Sequence, residues 1–174
     1  MYIVISNKKM NVLMNRIRLI HNKLNGVKNF KEIPSVLAPI PQLNIDEITE
    51  LQNQVDFTSN ELYRKVMIYE NDFMNGCIIL WKPNITSLIH NHAQNGCYFR
   101  PLTNGLIEHK YKDYEDYIVK VQTKKLSYHE VNYIDDKLAF HSMENTNKFI
   151  VPSIHFYSPP NFKTNYLNDI IKEF

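Results

Sequence analysis

Residues 73–111 read FMNGCIILWKPNITSLIHNHAQNGCYFRPLTNGLIEHKY. Runs rich in Ile, Leu, Tyr and Phe alternate there with turn signals at Pro83-Asn84, Asn95-Gly96 and Asn104-Gly105. The runs span 73–81, 87–92, 97–102 and 106–111. The same texture continues outward, to 62–69 ahead of the break at Asn71-Asp72, and to 117–123, 126–134 and 149–157 on the other side. Many short strands at close spacing predict an antiparallel sandwich or barrel. Eleven Tyr and nine Phe suit such strands and give pockets with polar tips.

Upstream the pattern is helical. Val12, Leu13, Ile17, Ile20 and Leu24 fall on one face of a helix over 10–24, which Asn25-Gly26 stops. Pro34, Pro39 and Pro41 make 32–43 a loop. Asn44 and Glu47 have the spacing of a capping box for a second helix to about Gln54. The tail 164–173 reads as a short closing helix. Neither a repeat nor a linker interrupts the chain. The expectation is one all-β domain over 1–174, with a helical segment, 1–60, packed on the barrel.

Composition narrows the function classes. The chain has 174 residues, 44% hydrophobic and 22% charged, which suits one globular domain and excludes a disordered chain, a collagen or a coiled coil. Net charge is only +2, without a clustered basic stripe, so nucleic-acid binding is not expected. Four glycines are too few for a Gly-rich phosphate loop. The apolar run Cys77-Ile78-Ile79-Leu80-Trp81 is far too short to cross a bilayer, so no membrane association is expected. Tyr2-Ile3-Val4-Ile5 is short and precedes its basic residues, unlike a secretory signal. Two cysteines make no disulfide scaffold, so a cytoplasmic, reducing compartment is the default.

The chemistry-bearing residues are histidines, at 21, 90, 92, 109, 129, 141 and 155. In the strand-like run Ser87-Leu88-Ile89-His90-Asn91-His92, residues i and i+2 point to one face, so both imidazoles reach one point. Neutral imidazole is a common metal ligand. His141 follows Tyr133-Ile134-Asp135-Asp136, in a segment that would return along the sheet and bring a third ligand. The plainer alternatives are two surface or core histidines, and a third bonded to a backbone carbonyl. No carboxylate stands in Ala93-Gln94-Asn95-Gly96-Cys97, so this is not the usual two-His, one-carboxylate iron site. Three neutral ligands leave the metal its full charge and open positions, which favours an anionic, chelating substrate such as a thiolate. Three His with a water would equally suit zinc and hydrolysis.

Three segments resemble the cysteine dioxygenase family: Trp81 through Cys97, His141-Ser142-Met143-Glu144-Asn145, and Ser153-Ile154-His155-Phe156-Tyr157-Ser158-Pro159-Pro160. Arg64, upstream of Trp81, adds a fourth point. The resemblance covers roughly 60–162 and implies a cupin, or jelly-roll, barrel. It implies Fe(II) held by His90, His92 and His141, and oxidation of a thiol by O2 to a sulfinate. L-cysteine is the expected substrate, with Arg64 holding its carboxylate through a planar fork. A monomer is expected. Relatives that prefer 3-mercaptopropionate carry Gln at the arginine's position.

The resemblance also assigns Ser153, His155 and Tyr157. The three alternate, so they share one strand face, and a hydroxyl–imidazole–phenol chain would set the Tyr157 OH near the metal. Read without the resemblance, three alternating polar residues are a solvated strand face. Cys97 lies five positions after His92, where some members join such a Cys to the tyrosine by a thioether, although Gly96 precedes it. The family's tyrosine two residues before the arginine corresponds to Leu62, with Tyr63 facing the other way. Ser158-Pro159 is expected to be cis. Cys77 reads as core, and His109 and His129 as exposed. The alternatives to cysteine oxidation are dioxygenation of 3-mercaptopropionate or another small thiol, a zinc hydrolase, and a catalytically silent metal-binding cupin.

Overall fold

A computed structural model describes residues 11–114, 117–167 and 171–172, so the Tyr2–Lys9 stretch lies outside the described residues. Helix α1 spans Asn11–Leu24 and buries Leu13 and Ile20 completely. Helix α3, Ile45–Gln54, has the expected capping box: Asn44 Oδ1 accepts from Glu47 N at 2.9 Å, and Glu47 Oε2 accepts from Asn44 N at 2.9 Å. The Glu47 carboxylate also takes the Arg16 guanidinium, whose Nη2 lies 2.7 Å away, and this ties α1 to α3. The stretch 32–43, expected to be a loop, follows a 3₁₀ turn, Phe30–Glu32, and contains a short helix α2, Ile33–Leu37. Pro34 does not prevent α2, because it sits in the first turn, where no backbone donor is needed.

Ten strands follow: β1 Tyr63–Glu70, β2 Asn75–Trp81, β3 Ile85–Thr86, β4 Cys97–Pro101, β5 Leu106–Tyr114, β6 Tyr117–Lys125, β7 Asn132–Ile134, β8 Phe140–Asn145, β9 Val151–Tyr157 and β10 Ile171–Lys172. They form two five-stranded sheets, ordered β1-β2-β9-β4-β7 and β10-β6-β5-β8-β3. All pairings are antiparallel except β10 with β6. The chain is therefore the expected all-β cupin barrel with N-terminal helices.

Three stretches differ from the sequence reading. Residues 126–134 give only the three-residue β7: Leu126 N still bonds Leu106 O beside the β5–β6 pair, and Glu130 N then closes a turn on Ser127 O. The tail is not a helix over its described residues. Leu167 N instead bonds Ile89 O, and Ile171–Lys172 pairs with Ile118–Val119. Residues 87–92 are not a continuous strand either. From Thr86 to His90 the chain advances four residues while its partner advances three, from Glu144 to His141. The extra residue leaves Leu88 exposed, and Ser87 Oγ takes the Met143 N–H at 2.9 Å. Such an insertion re-aims the side chain that follows it, here His90.

The first sheet separates two cores. Its outer face packs Ile78, Leu80, Ile154 and Phe156 against the helices. Its inner face turns Cys77, Ile79, Trp81, Cys97 and Phe99 into the barrel. Gly76 is required on the outer face, because a Cβ there would fall 2.5 Å from the Phe156 ring. Helices and barrel also meet at buried Arg100, whose guanidinium donates to the Leu37, Ile40 and Tyr128 carbonyls. Among the described residues no helix is long and apolar enough to cross a membrane.

Candidate metal centre

His90 and His92 come from the irregular segment beside β8, and His141 comes from β8 itself, paired with His90 by backbone bonds. One nitrogen from each lies within 4.8 Å of the other two. Each ring is fixed from behind. His90 Nδ1 meets Leu88 O at 2.9 Å, His92 Nδ1 meets Asp136 Oδ1 at 3.0 Å, and His141 Nδ1 meets Glu108 Oε1 at 2.9 Å. Asp136 Oδ1 also accepts the His92 backbone N–H at 2.7 Å. With Nδ1 acting as the donor, each Nε2 carries a lone pair.

Those lone pairs face one another. His90 Nε2 and His141 Nε2 are 3.1 Å apart, and His92 Nε2 is buried without any hydrogen-bond partner. Two acceptors at that distance repel, and an orphaned buried nitrogen costs free energy, on the order of 1–3 kcal/mol. A cation between them removes both penalties, so the cluster fits a metal. Burial, reinforced by His141, lowers the pKa of His90 to about 3 and holds His92 well below its ordinary value. Both are therefore neutral and ligand-competent near neutral pH.

The three histidines line a cavity of about 20 Å³, whose other wall carries Tyr63, Lys65, Trp81, Cys97, His155 and Tyr157. Thr164 closes one side, and the segment after it crosses His90, where Tyr166 OH meets Tyr63 OH at 3.1 Å. A larger cleft of about 480 Å³ adjoins it through Lys65, Tyr157 and Thr164.

On β9, Ser153, His155 and Tyr157 face this cavity side, as their alternation predicts. The connection between them differs from the expected relay. Trp81 Nε1 donates to Ser153 Oγ at 2.8 Å, and Ser153 Oγ meets His155 Nε2 at 2.7 Å. His155 Nδ1 then faces Cys97 Sγ at 3.7 Å, while the Tyr157 ring stacks on His155 with centroids 6.0 Å apart. Cys97 lies directly opposite Tyr157 in the β4–β9 register. Gly96, at φ +81°, is needed to turn the chain into β4, since a Cβ would strike Ile134 O. Burial pushes the Tyr157 phenol and the Cys97 thiol well above their ordinary values, so both keep their protons. Ser158-Pro159 is cis.

Arg64 is not at the site. In the β1–β2 register it opposes Leu80, which faces the helices, whereas Tyr63 opposes Trp81 and Lys65 opposes Ile79, both of which face the barrel. The Arg64 guanidinium ends on the Glu61 carboxylate at 2.8 Å and the Asp56 carbonyl at 2.7 Å, over the Phe57 ring. Counting residues back from Trp81 misses the irregularity between Met67 and Tyr69, and one residue of slip reverses the face. The same slip corrects the reading of Leu62 and Tyr63, since Tyr63 is the cavity-lining tyrosine. Lys65 is the cavity-facing cation, over the Tyr157 ring at 5.6 Å.

The sequence reading also missed Glu108 and Asp136, the two carboxylates behind the ligands. In the sequence Asp136 stands out only as a neighbour of His141. Glu108 carried a signal, since it shares the buried phase of its strand with Leu106. Cys77 is core, as expected, and His129 is exposed. His109 is half-buried rather than exposed, held by Glu144 at 2.7 Å.

A cupin barrel with three converging imidazoles in its interior defines the class: a metal-binding cupin. The model of the cysteine dioxygenase type I family matches residues 13–168. The chain belongs to that family. Cysteine dioxygenase type 1 of Homo sapiens is 25% identical over 157 residues, covering 87% of this chain and 76% of its own length. The Rattus norvegicus protein of the same name is 26% identical over 158 residues, with the same coverage. A solved cupin domain from Bordetella pertussis superposes with a TM-score of 0.45 at 12% identity, over 59% of this chain and 98% of that one.

Proposed function

We propose that this chain is a non-haem Fe(II) thiol dioxygenase that oxidises L-cysteine with O2 to cysteine sulfinate. The observation that carries the reading is the convergence of three fixed Nε2 atoms on a cavity walled by one cation, Lys65, and two phenols, Tyr63 and Tyr157. The human and rat relatives are both cysteine dioxygenase type 1, which supports cysteine as substrate. Fe(II) held by His90, His92 and His141 would supply the redox chemistry that joins O2 to sulfur.

The remaining roles fall to the chain. Lys65, at the mouth between cavity and cleft, attracts the substrate carboxylate, the role first read onto Arg64. Its ammonium is a point charge rather than a planar fork, so it selects charge more than orientation. The other small thiol acid, 3-mercaptopropionate, meets the same demand and is the second reading. The protonated Tyr157 phenol can donate a hydrogen bond to the reacting groups, and Trp81, Ser153 and His155 keep that wall in register. Cys97 opposite Tyr157 supports a thioether between them. Its formation is a two-electron oxidation, with O2 as the oxidant, that removes the thiol hydrogen and one ring hydrogen, so intact mass falls by about two hydrogens, and Cys97→Ala abolishes the difference.

The deciding experiment is oxygen consumption by anaerobically Fe(II)-loaded protein, with L-cysteine, 3-mercaptopropionate and cysteamine side by side. Uptake with cysteine, matched by sulfinate, is expected, and cysteamine, which lacks the carboxylate, is a poor substrate. Uptake with 3-mercaptopropionate alone keeps the iron and discards cysteine. No uptake despite bound iron makes the protein a catalytically silent metal-binding cupin. Zinc as the only metal held would favour the hydrolase reading.

A further inference from the structure

Glu108 has no evident structural reason to be a carboxylate. It is 2% exposed on β5, between buried Leu106 and the cavity side of β8, where it opposes Met143. A buried carboxylate with few partners does not repay its desolvation, and an apolar residue of the same size serves stability as well or better. Among the described residues its one hydrogen-bond donor is His141 Nδ1, at 2.9 Å, and Lys110 Nζ stands off at 3.6 Å. Asp136 holds His92 in the same way, but its side chain is 42% exposed, so water screens it.

We infer that Glu108 is the positioning residue that gives the three-histidine centre its missing negative charge: through His141 it tightens divalent metal binding. The reasoning is electrostatic. Three neutral imidazoles bring no charge to a dication. A carboxylate accepting Nδ1–H draws that proton outward, makes Nε2 the stronger donor and fixes the ring's tautomer and direction. Burial keeps this influence unscreened at Glu108 and weakens it at Asp136. The inference rests on the metal reading of the site, and it does not depend on the thiol chemistry.

The test is competition between a chromophoric chelator and the metal-free full chain for Zn(II) and Co(II), in wild type, Glu108→Gln and Asp136→Asn. Glu108→Gln is expected to weaken binding roughly 10–100-fold, Asp136→Asn less, with the Co(II) visible spectrum shifted in Glu108→Gln. A merely structural Glu108 would change urea unfolding of the metal-free protein and leave both affinity and spectrum alone, which would overturn the inference. Should Glu108→Gln not fold, ¹⁵N NMR of the wild-type Zn(II) form decides. His141 protonated at Nδ1, with that proton far downfield, is expected, and a proton on Nε2 instead overturns it. If wild type binds metal but never oxidises thiols, the proposed function fails while this inference stands.

Discussion

The two faces of strand β9 do different work. Ile154 and Phe156 are fully buried against the helices in a largely apolar layer, with Arg100 opposite Ile154. Ser153, His155 and Tyr157, one residue out of phase, face the barrel interior with hydrogen bonds, stacked rings and a neighbouring thiol. The period of two along a strand thus lets one seven-residue segment carry packing on one side and chemistry on the other. The outer face can be read as volume, whereas the inner face must be read atom by atom.

Removing one member from each side breaks this contrast most severely. His141→Ala is expected to lose most bound metal, with some cost in stability because buried Glu108 loses its hydrogen-bond donor. Phe156→Ala is expected to cost about 3–5 kcal/mol of stability, since it opens a cavity over Gly76, and to leave the metal affinity of folded molecules unchanged. Metal titration and urea unfolding of both variants check this. Equal losses of metal would mean the faces are coupled.

The next largest effect tests the same alternation on β1. Lys65→Met should lower kcat/KM for a thiol carboxylate roughly tenfold, the low end of about 1.5–3 kcal/mol for a charged hydrogen bond, because Lys65 is exposed. Arg64→Gln should change it less than about threefold, since its partners are Glu61 and Asp56 on the other face. The reverse ranking would return the carboxylate to Arg64.

The smallest effect is in pH. Burial holds His90 down to about 3 and His155 well below its usual value. In an unfolded chain these rings titrate near 6.5, so stability is fully present above about 6.5 and lost as pH falls towards about 3. The urea midpoint of the metal-free protein should therefore fall steadily from about pH 7 to 5. A flat midpoint would mean that the polar face is hydrated.

Most strands were legible from alternation and turn residues, and the second long helix from its cap. The triad His90, His92 and His141 was legible as closely spaced ligand types with a third on a returning segment, although the strand period read for His90 and His92 is not there, since both lie on an irregular segment. The one-residue insertion ahead of His90 was not, since nothing in Ser87-Leu88-Ile89 distinguishes it from a regular strand. The irregularity in β1 hid the exchange of Arg64 for Lys65 in the same way. Periodicity places a residue relative to its own strand, and only pairing decides which face a whole strand presents. The short tail went wrong for a related reason. Ten residues with mixed pattern are settled by the edge they meet, here β6.

Arg100 has a further consequence, in the cooperativity of unfolding. Its guanidinium is the barrel's only listener to two carbonyls of the helical layer, those of Leu37 and Ile40, among the described contacts. Peeling that layer away would break these charged hydrogen bonds and bare the apolar outer face of Ile78, Leu80, Ile154 and Phe156 to water. Helices and barrel should then melt in one transition rather than two, and the described residues 11–60 should unfold together with the metal centre although none of them lines its cavity.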